Sequence, residues 1–224
     1  MIKINLIWII VLVALLIAFG GFIFFGLINK KDEGKFSFLK QFPFEFVNSK
    51  LVKIFAYLVG GFSFLPLIVV LPLYSDFSSL ALYTIFVTCV FGLASLSGLV
   101  ITLLSTKYIK QHLISATVLM ALAFLSSALT CLYSILISRI NIRFSGGDFY
   151  HILLASISGL LAIAMLVIMF SPKLKNWAKL SEEIVDNEKV FSRGKFFPLA
   201  YSEWASIAVI FISEIIFLLS MLSI

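Results

Sequence analysis

The sequence predicts an all-α integral membrane protein with six transmembrane helices and an interfacial amphipathic helix between helices five and six. Three observations carry this. The 224-residue chain is 62% hydrophobic and only 12% charged, with 24 Phe and a mean hydropathy of +1.14. A soluble chain could not hide that much apolar surface behind so few charges, so the bilayer must act as solvent. Six apolar stretches approach or exceed the roughly 20 helical residues that cross a hydrocarbon core. Basic residues, finally, are divided unevenly between the loops.

The six stretches are 4–28, 54–74, 80–104, 113–138, 152–171 and 205–223, within one polytopic domain covering 1–224. Backbone polar groups in lipid must bond internally, and no barrel-like alternation competes, so each stretch is expected to be a helix. Ala18-Phe19-Gly20 resembles a signal-peptide cleavage site. The apolar run nevertheless continues through Phe22, Ile23, Phe24 and Phe25, and Lys30-Lys31 follows, as in a retained anchor.

The loops 29–53, 105–112 and 172–204 hold fourteen Lys and Arg, against Lys3, Arg139 and Arg143 on the other side. Positive charge marks the cytoplasmic side, so both termini are expected to be extracytoplasmic in a cell membrane. The net charge of +6 is read the same way and not as a nucleic-acid signature. Lys outnumbers Arg fourteen to three, which suits an AT-rich bacterial genome.

The first loop places Phe36, Phe38, Phe42, Phe44 and Phe46 within eleven residues, beside Lys35, Lys40 and Glu45. Pro43 prevents one continuous helix. The segment is expected in the headgroup region, rings toward lipid and lysines toward water, or as a docking surface. In the second stretch Gly60-Gly61, Pro66 and Pro72 interrupt the helix, and Pro66 should kink it.

Stretches three and five share an echo, Leu93-Ala94-Ser95-Leu96-Ser97-Gly98-Leu99 and Leu154-Ala155-Ser156-Ile157-Ser158-Gly159-Leu160. Ala94 and Gly98, like Ala155 and Gly159, are small residues four apart that allow another helix to approach closely. Serines such as Ser158 can bond across helices or back to their own. Ser126, Ser127 and Thr130 fall near the middle of stretch four.

After stretch five, Ser171 can cap a helix that begins at Pro172. Leu174, Trp177, Leu180 and Ile184 recur at helical spacing, and Lys173, Lys175 and Lys179 can reach anionic headgroups. An interfacial helix over 172–185 is the expectation, with Trp204 as a further interfacial anchor.

Glu214 stands near the middle of the last stretch, and no Lys, Arg or His occupies the interior of another. A charged carboxylate there has no protein counter-ion, so it should be neutral unless a cation or a water-filled cavity accompanies it. With the Pro66 kink and the hydroxyls of Ser126, Ser127, Thr130 and Ser158 it forms the candidate intramembrane polar site, suited to a proton- or cation-coupled path. A neutral Glu bonding helices together is the plainer alternative.

No HExxH, GxSxG, Walker or CxxCH pattern is present, which argues against the corresponding enzymes. Cys89 and Cys131 read as buried hydrophobes. Asp148 and His151 are two ligands at most, too few for a metal site, and His112 reads as an interfacial residue. No catalytic residue, metal or cofactor is expected. The partners expected are the lipid bilayer and other membrane or cytoplasmic protein subunits, with no nucleic acid. The reading is a small non-enzymatic multi-pass protein, a permease-like or accessory subunit of a membrane transport or secretion complex. The alternatives are a membrane-embedded lipid-modifying enzyme, or a structural or regulatory protein acting through its cytoplasmic loops.

Overall fold

A computed structural model describes residues 2–30, 36–47, 49–66, 68, 79–105, 108–145, 148–175, 181–185, 188–192 and 197–222. The elements are α1 (Ile2–Lys30), α2 (Pro43–Phe46), α3 (Lys50–Phe62), α4 (Ser79–Leu103), α5 (Ile109–Ser145), α6 (Phe149–Met169), α7 (Pro172–Lys175), β1 (Ser181–Val185), β2 (Glu188–Ser192) and α8 (Pro198–Met221). Five of them, α1, α4, α5, α6 and α8, contain stretches long and apolar enough to cross a membrane. The architecture is that of a helical membrane protein with a small β-hairpin.

The 37-residue α5 packs against α4, α6 and α8. α8 is the central helix, with α5 and α6 against it and α1 and α4 also in contact. Its buried residues come from every face, including Ser202, Ser206, Val209, Ser213, Phe217 and Ser220. Among lipid tails apolar surface alone does not drive helices together; close packing and interhelical hydrogen bonds do. Both occur here. Phe91, Tyr133 and Phe217 form a ring contact between α4, α5 and α8. Ser134 and Ser220 join hydroxyls at 3.0 Å between α5 and α8. The Tyr83 hydroxyl donates to the Leu129 carbonyl, 3.2 Å away, between α4 and α5.

Three basic loops meet at one end of the bundle. The Phe197 N–H donates to the Leu39 carbonyl at 2.7 Å, and the Trp204 indole N–H donates to the Gln41 carbonyl at 2.9 Å. His112 contacts Glu203 at the same end.

The structure departs from expectation in two elements. The second stretch, predicted over 54–74, begins at Lys50 as α3 and stops at Phe62. Ser63 and Phe64 form a turn, and helix resumes at Leu65–Pro66. Pro66 has no N–H for the Phe62 carbonyl four residues back and its ring crowds that carbonyl, which accounts for the break. Pro72 lies outside the described residues. Of the predicted interfacial helix over 172–185, residues 172–175 are helical as α7, residues 181–185 are the strand β1 instead, and 176–180 lie outside the described residues. β1 and β2 pair antiparallel, Ser181 opposite Ser192 and Val185 opposite Glu188. Ile184-Val185 and Val190-Phe191 favour strands, and Asp186-Asn187 between them suits a two-residue connection. Trp177 and Leu180 lie outside the described residues.

A crevice beside a buried carboxylate

The break after α3 puts a hydroxyl against α8. The Ser63 N–H donates to the Val59 carbonyl at 3.2 Å. The Ser63 Oγ lies 3.1 Å from that carbonyl and 2.8 Å from Glu214 Oε2. A hydroxyl has one proton. Both Oγ contacts are satisfied together when Ser63 donates to Val59 and a protonated Glu214 donates to Ser63. The geometry therefore fits a neutral Glu214. Glu214 is 1% exposed, and its Oε1 has no hydrogen-bond partner among the described residues.

Glu214 lines a partly open crevice between α1, α3, α4 and α8. Ile207, Ile210 and Glu214 form one stripe of α8, three and four residues apart. Phe19 and Phe211 make a wall, their rings stacked with centroids 3.8 Å apart. On α4 and α3 the small residues Ala94, Gly98 and Gly60 leave the space that larger side chains would fill. Apart from Glu214 the walls are apolar or bear hydroxyls, and the Thr102 hydroxyl already donates to the Leu99 carbonyl at 2.7 Å.

Phe22 lines the crevice and joins a ring cluster with Phe46 and Trp204 toward the basic end. Here the first loop differs from a free interfacial segment. Phe42 and Phe46 are buried in protein, while Phe36, Phe38 and Phe44 are half-buried. Pro43 begins the short α2, and Glu45 closes its start by accepting from the Phe42 N–H at 2.8 Å. Trp204, expected as an interfacial anchor, is buried as well, with Phe38 and Phe46 edge-on to it.

Next to this cluster sits a second carboxylate. Glu203 Oε1 lies 2.9 Å from His112 Nε2, and both side chains are buried. His112 Nδ1 lies 2.9 Å from the Leu104 carbonyl, which can only accept, so Nδ1 carries a proton. Phe42 and Phe44 present their rings edge-to-face against the imidazole. His112 is thus a buried bridge and not the interfacial residue expected.

The remaining predicted residues are dispersed. Pro66 is buried three residues after Ser63. Ser126, Ser127 and Thr130 are buried on α5 and do not line the crevice. Ser127 bonds back to its own helix, and Thr130 makes a long 3.5 Å contact to the Ser213 carbonyl. Ser158 bonds the Leu154 carbonyl at 2.7 Å. Ala155 is buried, and a Cβ at Gly159 would sit 3.4 Å from Cys131 Sγ. Leu174 packs against the core from α7. Asp148 caps α6 by accepting from the His151 N–H at 3.1 Å, and its other oxygen lies 2.6 Å from His151 Nδ1. No group of three His, Cys, Asp or Glu suited to a metal ion occurs among the described residues.

Sequence reasoning missed Ser63 and Glu203. A signal existed for the latter: Glu203 and Glu214 are eleven residues apart, three helical turns, and so share a face of α8. No protein-family model matches the chain, and no curated protein or solved structure matches it.

Proposed function

We propose that this is a small non-enzymatic membrane protein, a permease-like component of a transport system, in which Glu214 is the group that couples movement of a solute to a proton. One observation carries the reading: a buried carboxylate, one oxygen of which has no partner among the described residues, lines a partly open crevice inside a helical bundle. An intramembrane ionisable group is costly, and its usual use is in an ion or solute path. Ser63 holds the other oxygen, as a freed polar group at a helix break does in carriers built from interrupted helices.

In this reading the chain crosses the cell membrane six times, the second crossing being made by α3 and the residues after its break. The basic end faces the cytoplasm and both termini face outward, as the division of Lys and Arg implies. The aromatic loop packs, through Phe46, on Phe22 at the cytoplasmic side of the crevice. The bilayer surrounds the bundle, and other subunits could bind the exposed apolar faces of α1 and α6.

The test is reconstitution in liposomes carrying an internal pH dye. The wild-type protein should dissipate an imposed proton gradient faster than empty liposomes do, and Glu214→Gln should insert normally and lose that flux. A wild-type flux equal to the empty control, or an unchanged flux in the variant, removes the carrier reading.

A further inference from the structure

We propose that the crevice binds an apolar molecule ending in a single protonatable amine, with the amine nitrogen at Glu214 Oε1. The inference deepens the reading above, since it names the solute class of the same site.

The chemistry follows from what the walls offer and lack. Among the described residues Oε1 is an acceptor without a partner, in a residue 1% exposed, so a hydrogen-bond donor is the group missing there. Among the described residues no Lys, Arg or His lines the crevice, so a charge on Glu214 has to be met by the ligand. A bare metal ion does not fit, because a hard cation takes about six oxygen ligands and this site presents one open carboxylate oxygen. A lone proton leaves the space unfilled, and walls this apolar do not hold a chain of waters. That space is lined chiefly by Phe19, Phe22, Val59, Leu99, Ile210 and Phe211. The occupant is therefore apolar along its body and a donor at one end.

Proton bookkeeping then gives the binding step. The empty site holds one proton on Glu214 Oε2 and one on Ser63 Oγ. When an ammonium arrives, the carboxyl proton leaves to solvent and the ion pair forms at Oε1. The Ser63 hydroxyl turns from the Val59 carbonyl and donates to Oε2, which it already faces at 2.8 Å. One amine cation enters for one proton released.

Three small molecules with the same compact body test this: cyclopentylamine, cyclopentanol and cyclopentane. Binding to the purified protein in nanodiscs is measured by calorimetry at neutral pH, in two buffers of different ionisation enthalpy. The amine should bind at least ten-fold more tightly than the alcohol or the hydrocarbon, with close to one proton released per amine. Glu214→Gln should weaken the amine ten-fold or more and abolish the proton release. Ala94→Val, which narrows the crevice without touching the carboxylate, should weaken the amine while keeping the proton release. An alcohol that binds as tightly as the amine overturns the assignment, as does absence of amine binding or indifference to both variants. Amine binding without proton flux in liposomes would leave the site standing and remove the transport reading. Proton flux without amine binding would do the reverse.

Discussion

Glu203, in the first turns of α8, holds His112, at the start of α5, through a 2.9 Å contact buried on both sides. With the Nδ1 proton committed to Leu104, the Nε2 contact contains one further proton, on nitrogen or on oxygen. The pair is neutral overall in either arrangement. It ties the ends of α4, α5 and α8 together beside Phe42 and Phe44.

Removing one partner strands the other. His112→Ala should lower stability by about 3 kcal/mol, the usual cost of an orphaned buried ionic partner. The double variant His112→Ala/Glu203→Gln should be less destabilised than His112→Ala alone. Unfolding of the detergent-purified protein by heat or denaturant checks both, and strictly additive losses would contradict the pairing.

Ser63→Ala removes the hydroxyl that faces Glu214 Oε2. The expected loss is about 1–2 kcal/mol, as for a buried polar atom left unpaired. Ser63→Thr, which keeps the hydroxyl, should lose less. Equal stability of all three proteins would mean that the 2.8 Å contact contributes nothing.

The glycines of α1 divide into two kinds. A Cβ at Gly26 would run into the Phe46 ring, whereas one at Gly20 meets nothing within 4 Å. Gly26→Ala should cost about 1–3 kcal/mol through overpacking and shift Trp204 emission, because Phe46 packs edge-on to that indole. Gly20→Ala should be close to neutral.

Cysteine labelling in intact cells tests the orientation, after replacement of Cys89 and Cys131. A cysteine at Lys40 or Lys189 should be protected from a membrane-impermeant reagent, and one at Ser145 should react. Reaction at Lys40 or Lys189 rejects an outward placement of both termini.

The spanning helices were legible because length and apolarity decide them, and the break near Pro66 was legible because it follows from covalent geometry. Packing was much less so. In helices such as α1 and α5 nearly every face is apolar, so no stripe marks which side meets protein. That is why Ser126 and Thr130 looked like companions of Glu214 although they do not line its crevice. Glu203 escaped notice because it precedes the main apolar run, where a carboxylate resembles a solvated one. The loop after α6 carried two signals at once, a helical stripe through Leu174 and Ile184 and a hairpin pattern around Asp186-Asn187. Strand pairing won over 181–192.

The contacts of Leu39 with Phe197 and of Gln41 with Trp204 join segments more than 150 residues apart. A ribosome finishes the first loop long before it makes α8. During that interval Phe38 and Phe42 lack the rings of Trp204 and Phe197 that they later pack against. The loop can take its final place only after the last helix has been synthesised and inserted. Assembly thus closes in a circle, from the final helix back to the first loop. A nascent chain stalled before Pro198 would leave an aromatic segment of that loop incompletely covered, the kind of surface that chaperones and membrane proteases recognise.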